Sequence, residues 1–84
     1  MQFSGNKPLP LADLPKGERA VIARLNLEPE LSKRLMELGF LPGGQVRAGR
    51  SAPGGDPKVF EVDGSEIALR RETAAHIHVE RHEP

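Results

Sequence analysis

The run His76-Ile77-His78-Val79-Glu80-Arg81-His82 is the part of this 84-residue chain whose residue types and spacing could do chemistry. On a strand, residues i, i+2 and i+4 share one face, at about 6.7 Å per step. With Ile77 and Val79 turned inward, His76, His78, Glu80 and His82 all point outward. Two imidazoles at i and i+2 can converge on one cation at about 2.0–2.1 Å, with Glu80 as a third ligand. The same alternation is what the solvated face of a final strand looks like. A cation held here would be zinc or a similar transition metal, weakly bound and completed by water or a neighbouring chain. Nothing else in the sequence requires a cofactor.

Catalysis has no comparable constellation. Ser65 stands in Asp63-Gly64-Ser65, a hairpin sequence, and not in the G-x-S-x-G turn that exposes a nucleophilic serine. There is no cysteine and no H-E-x-x-H. The pair Glu28/Glu30 sits at a helix start, where the helix dipole accounts for it. Neither glycine-rich loop runs into G-K-[ST], so neither is a phosphate-cradling loop. The expectation is a protein that is not an enzyme.

Composition narrows the partners. Twelve basic residues balance twelve acidic ones, whereas nucleic-acid binders draw their affinity from a basic excess. Three Phe with no Tyr or Trp leave few rings for stacking bases or lining a polyproline groove. An RNA-associated small barrel is therefore a third and weakest reading. No apolar run approaches the roughly 18–20 residues that span a bilayer, so no direct membrane insertion is expected. The start Met1–Pro10, with one lysine and no apolar stretch, does not read as a secretory signal, and cytoplasm is the default location.

Those residues must be positioned by a small framework, and 84 residues give a single domain, 1–84. Residues 1–8 read as a loose arm, broken by Gly5, Asn6 and Pro8, from which Phe3 could anchor on the core. Leu11 to Pro15 allows one helical turn. Arg19–Leu25 reads as the first strand, its weak alternation suggesting partial burial on both faces. Leu31, Leu35 and Leu38 recur at i, i+4 and i+7 and predict a helix over 29–38. Pro29 suits its first position, and Gly39 its stop, with Phe40 folding back on Leu35. Beyond it, Gln45–Ala52, Lys58–Val62, Ser65–Arg70 and a strand at Ile77–Val79 alternate as short strands. Asp63-Gly64 is a two-residue hairpin signal. Arg71–Ala75 reads as a turn, and residues 82–84 as a frayed tail. The predicted fold is mainly β: a small five-stranded SH3-like barrel with one α-helix inserted after the first strand.

Three segments carry a resemblance. Leu38-Gly39-Phe40-Leu41-Pro42-Gly43, Gly55-Asp56-Pro57 and Ile67 through Ala75 stand in the order and spacing of the FeoA family. Leu11-Ala12-Asp13-Leu14-Pro15-Lys16-Gly17 resembles that family's L-x-x-L-x-x-G opening. The resemblance covers roughly residues 9–80. It implies an SH3-like barrel and an accessory role in bacterial ferrous-iron uptake through FeoB, a membrane transporter with a cytosolic GTPase domain. Similar domains end the iron-dependent repressors of the DtxR type, but this chain has no room for their helix-turn-helix.

With that resemblance, the helix and the turn after it become the expected docking face, formed by Lys33, Arg34, Met36, Glu37, Phe40 and Leu41. A small barrel cannot bury every apolar group of an inserted helix, and exposed apolar surface commonly marks a partner. The alternative is a metal-binding or metal-sensing module using the C-terminal histidines, with ferrous iron added to zinc as a candidate ion. Weak homo-oligomerisation fits either reading.

Overall fold

Two runs far apart in sequence, Arg19–Leu25 and Ile77–His82, pair inside the sheet, away from both of its edges. The computed structural model describes residues 6–82, with side chains from 7 to 81. Phe3, the expected anchor, lies outside the described residues, as do 83–84 of the expected tail.

Six strands are present among the described residues: β1 (Asn6–Pro10), β2 (Arg19–Leu25), β3 (Gln45–Ser51), β4 (Lys58–Val62), β5 (Ser65–Leu69) and β6 (Ile77–His82). They form one sheet in the order β1-β6-β2-β3-β4-β5, and every neighbouring pair is antiparallel. Helix α1 (Pro29–Glu37) follows β2, and a single turn, α2 (Arg71–Ala74), links β5 to β6. The mainly-β fold with one inserted helix is as the sequence reads, and five strands fall where expected. Among the described residues the edges of β1 and β5 do not pair, so main-chain hydrogen bonding between them does not close the barrel.

The sixth strand corrects the loose-arm reading at residues 6–8, the part of 1–8 that lies within the described residues. Asn6–Pro10 lies along β6, with Lys7 opposite Arg81 and Leu9 opposite Val79. Proline is tolerated on an edge strand where the N–H it lacks would face solvent. Pro8 and Pro10 alternate with Lys7 and Leu9, so both can face the open side. The tail is likewise ordered further than expected, because His82 pairs with Asn6.

Burial explains the remaining elements. Phe40, Phe60, Leu11, Leu14, Ile22, Ile77, Val46, Val62 and Val79 are almost completely buried, and burying each such side chain is worth about 1.5–3 kcal/mol. On β6, Ile77 and Val79 point inward as the alternation requires. Strand β2 is not buried on both faces. Ala20 and Ile22 are buried while Arg19, Val21 and Ala23 are exposed, and the register with β6 shifts between Ile22 and Arg24. The weak alternation in the sequence is that bulge. The Asp63-Gly64 hairpin has positive φ at both residues, 50° and 78°, as a type I′ turn demands.

The segments Gly55-Asp56-Pro57 and Ile67 to Ala75 meet in space. The Arg71 main-chain N–H donates to Asp56 Oδ1 at 2.9 Å. The first turn of α2, four residues long, thus receives its cap from a distant loop. Nearby, Lys58 Nζ donates to the Leu14 carbonyl at 2.5 Å and lies 5.8 Å from the Phe60 ring centre.

Candidate docking face

Helix α1 starts with Pro29 at its first position, and the Ser32 N–H closes the first turn on the Glu28 carbonyl at 2.9 Å. Its inner side is Ser32 and Leu35, both buried. The Ser32 hydroxyl is satisfied by the Leu27 carbonyl at 3.2 Å. The stop is a full Schellman motif. The Gly39 N–H bonds the Met36 carbonyl and the Phe40 N–H the Leu35 carbonyl, each at 3.0 Å. Gly39 adopts φ +119°, and a Cβ there would lie 3.3 Å from Asp63 Cβ and 3.4 Å from Val62 Cγ2. The helix end is therefore seated directly on the β4–β5 hairpin.

The chain then turns through Leu41-Pro42-Gly43-Gly44. The Gly44 N–H returns to the Leu41 carbonyl at 2.8 Å. The turn is stapled to β2 by the Gly43 N–H on the Ile22 carbonyl, 2.7 Å, and the Ile22 N–H on the Gly44 carbonyl, 2.9 Å. Fixed in this way, the turn holds Leu41 outward, 51% exposed; Leu38, at the helix end, is 48% exposed. A shallow groove of about 590 Å³ runs along the helix, lined by Pro29, Ser32, Lys33, Met36, Glu37 and Leu41.

Four of the six expected docking residues, Lys33, Met36, Glu37 and Leu41, thus come together. Arg34 does not join them; it borders a separate depression with Glu28, Glu30 and Leu31. Phe40 is fully buried and supports the face from behind without being part of its surface. Leu38, read as part of the helix's inward stripe, is instead on the surface. The helix faces the core through Ser32 and Leu35, which rotates the stripe away from Leu38.

The candidate metal residues are arranged differently. His76 precedes β6 and is exposed, while His78 is half-buried between Pro10 on β1 and Arg24 on β2. A neighbouring guanidinium raises the cost of holding a dication. Glu80 lies between Pro8 and Val21. The His82 side chain is outside the described residues. Among those described, no group of three or more His, Cys, Asp or Glu side chains could hold a metal ion. His76, His78 and Glu80 therefore do not form a complete ligand set by themselves.

A polar depression of about 660 Å³ beside β3 and β4 contains Arg19, Arg47, Glu61 and Ser65. Arg47 is engaged with Glu61 at 3.3 Å. Among the described residues, no helix is long and apolar enough to cross a membrane.

A mainly antiparallel sheet of short strands with one inserted helix is the SH3-like class of small β domain. Residues 9–81 match the model of the FeoA domain, and the chain belongs to the FeoA family. It is 37% identical over 70 residues to a Porphyromonas gingivalis protein that fuses Fe(2+) transport protein A to the Fe(2+) transporter FeoB. That match covers 83% of this chain but 8% of the fusion's length. The solution structure of FeoA from Chlorobium tepidum superposes with a TM-score of 0.83 at 34% identity, covering 87% of this chain and 70% of the other. The crystal structure of Stenotrophomonas maltophilia FeoA complexed with zinc, described as a prokaryotic SH3 domain protein, gives 0.73 at 33% identity, covering 82% and 86%. Membership of the family links the chain to ferrous-iron transport.

Proposed function

We propose that this chain is a cytosolic accessory protein of bacterial ferrous-iron uptake that docks through the α1 groove on the cytosolic part of a FeoB-type transporter. The observation that carries the reading is the pairing of a rigid turn with two outward leucines. Leu38 and Leu41 are about half exposed on backbone fixed by the Schellman stop and the staple to β2. A backbone that is already fixed has little further entropy to lose when a partner covers it. The Porphyromonas fusion supports the choice of partner, since it joins the two components in one polypeptide. Lys33 and Glu37, of opposite charge, flank the groove and would set orientation more than affinity. Regulation follows only from unequal affinity for two transporter states, because equal affinity shifts nothing.

Pull-down and titration with the transporter's cytosolic domain test this. Covering the exposed half of Leu41 is worth about 1 kcal/mol, and a buried carboxylate costs more. Leu41→Asp with Met36→Asp should therefore weaken binding tenfold or more, while Arg34→Glu should matter little. Undiminished binding by the double variant would remove the groove from the interface.

One observation keeps a metal reading alive, the zinc complex of the Stenotrophomonas relative. On this reading His76, His78, Glu80 and His82 take zinc or ferrous iron weakly. Zinc titration of a His76→Ala/His78→Ala variant checks it, and zinc uptake equal to the parent's excludes these ligands.

A further inference from the structure

Among the described residues the sheet has two unpaired edges, and they are built differently. On β1, the sequence Asn6-Lys7-Pro8-Leu9-Pro10 has two prolines and a lysine, the devices by which proteins keep an edge from accepting another strand. Strand β5, Ser65-Glu66-Ile67-Ala68-Leu69, has no proline and no lysine, and Glu66 is its one charged residue. Its register against β4 runs without a break from Val62↔Ser65 to Lys58↔Leu69. Residues of an antiparallel pair alternate between facing the partner strand and facing away. The two-residue hairpin makes Val62–Ser65 the closing pair, so Ser65, Ile67 and Leu69 bond to β4. The main-chain N–H and C=O groups of Glu66 and Ala68 are left at the open edge, and both residues are exposed.

We propose that the open edge of β5 is a self-pairing site, at which two copies of the chain join antiparallel strands about a two-fold axis at Ile67. The register follows from the groups available. An axis at Ile67 sets Glu66 opposite Ala68 of the second copy, and Ala68 opposite its Glu66. Each pair exchanges two main-chain hydrogen bonds, four in all. Ile67 then meets its own copy at the non-hydrogen-bonded position, where side chains approach most closely. It is half-buried and already packed on the core, so an apolar pair extends an existing cluster. Charge agrees with this register. The two Glu66 side chains lie diagonal to each other, not directly opposed, and Arg50, 4.0 Å from Glu66, offsets their repulsion. An interface of this kind is isologous and closes on itself. Five residues a side bury less than the roughly 1,200 Å² of a stable complex, so the association is transient. None of its residues lines the α1 groove, and it stands or falls separately from the docking proposal.

The test is sedimentation velocity over a concentration series, with amide exchange of Glu66 and Ala68 read at low and high concentration. The parent should show reversible, concentration-dependent dimer and protection at those two amides. Ala68→Glu places a carboxylate opposite Glu66 and should weaken dimerisation at least tenfold, while Ala68→Lys places an ammonium there and should preserve or strengthen it. Thermal melts of both dilute variants should match the parent, since residue 68 is exposed. A parent that stays monomeric throughout overturns the proposal. So do equal effects of Glu and Lys, or protection that arises only when the transporter's cytosolic domain is added.

Discussion

Gly39→Ala places a methyl group where α1 meets the β4–β5 hairpin, and its cost follows from the geometry. The backbone there has φ +119°, and the new Cβ would stand 3.3 Å from Asp63 Cβ and 3.4 Å from Val62 Cγ2. Holding a non-glycine residue in such a conformation costs about 1–3 kcal/mol. The contacts add to this, because Val62 is buried in the core and can yield little. Against it, alanine restricts the unfolded chain and returns about 0.4–1 kcal/mol. The net loss is about 1–3 kcal/mol, a large share of the roughly 5–15 kcal/mol that holds a domain folded. At about 4–8 °C per kcal/mol for a domain of this size, Tm should fall by about 5–20 °C. Urea unfolding should show a lower midpoint with unchanged slope. Gly43→Ala is the control. That glycine also has positive φ, +89°, but a Cβ there meets nothing within 4 Å, so it should show conformational strain alone. If Gly39→Ala costs no more than Gly43→Ala, the close seating of the helix end on the hairpin is refuted.

Two further outcomes are expected. Asp56→Ala removes the acceptor for the Arg71 N–H and should cost about 0.5–2 kcal/mol, the usual range for a lost helix cap, measurable as a lower urea midpoint; an unchanged midpoint would show that the cap does not hold α2 to its loop. Lys58 is held below its ordinary value of 10.5, first by burial and then by the charge of Arg71, with Asp13 pulling the other way. Between that lowered value and 10.5 the folded chain binds fewer protons than the unfolded one, so the contribution of this group to stability rises with pH across the window. Lys58→Met should flatten the rise in a series of urea midpoints, and parallel curves for parent and variant would contradict the assignment.

Features set by local chemistry could be read from the sequence. The Gly39-Phe40 stop, the Asp63-Gly64 hairpin and the inward Ile77 and Val79 each depend on a few adjacent residues. Features set by distant neighbours could not. Pro8 and Pro10 conceal a strand, because only the presence of β6 on one side alone makes proline harmless there. The outward turn of Leu38 depends on which side of α1 meets the sheet, and a leucine-rich helix offers more than one choice. Phe40 and Leu41 are adjacent residues of similar character. The structure buries one completely and exposes the other, and composition cannot separate them. At the candidate metal strand, the alternation was legible, but not the guanidinium of Arg24 across from His78.

The place of β6 has a consequence for how the molecule is made. It is the last of the six strands in sequence, and both β1 and β2 attach to it. During synthesis those two strands emerge long before the strand that joins them. Until Ile77 and Val79 arrive, β1 has no neighbour and one edge of β2 is open, with the apolar side of Ile22 uncovered. Pairings this distant in sequence are slow to form, and the growing chain is exposed to aggregation for that interval. A guarded β1, rich in proline, can wait without sticking to other chains. Its two prolines thus protect the unfinished protein as well as the finished one.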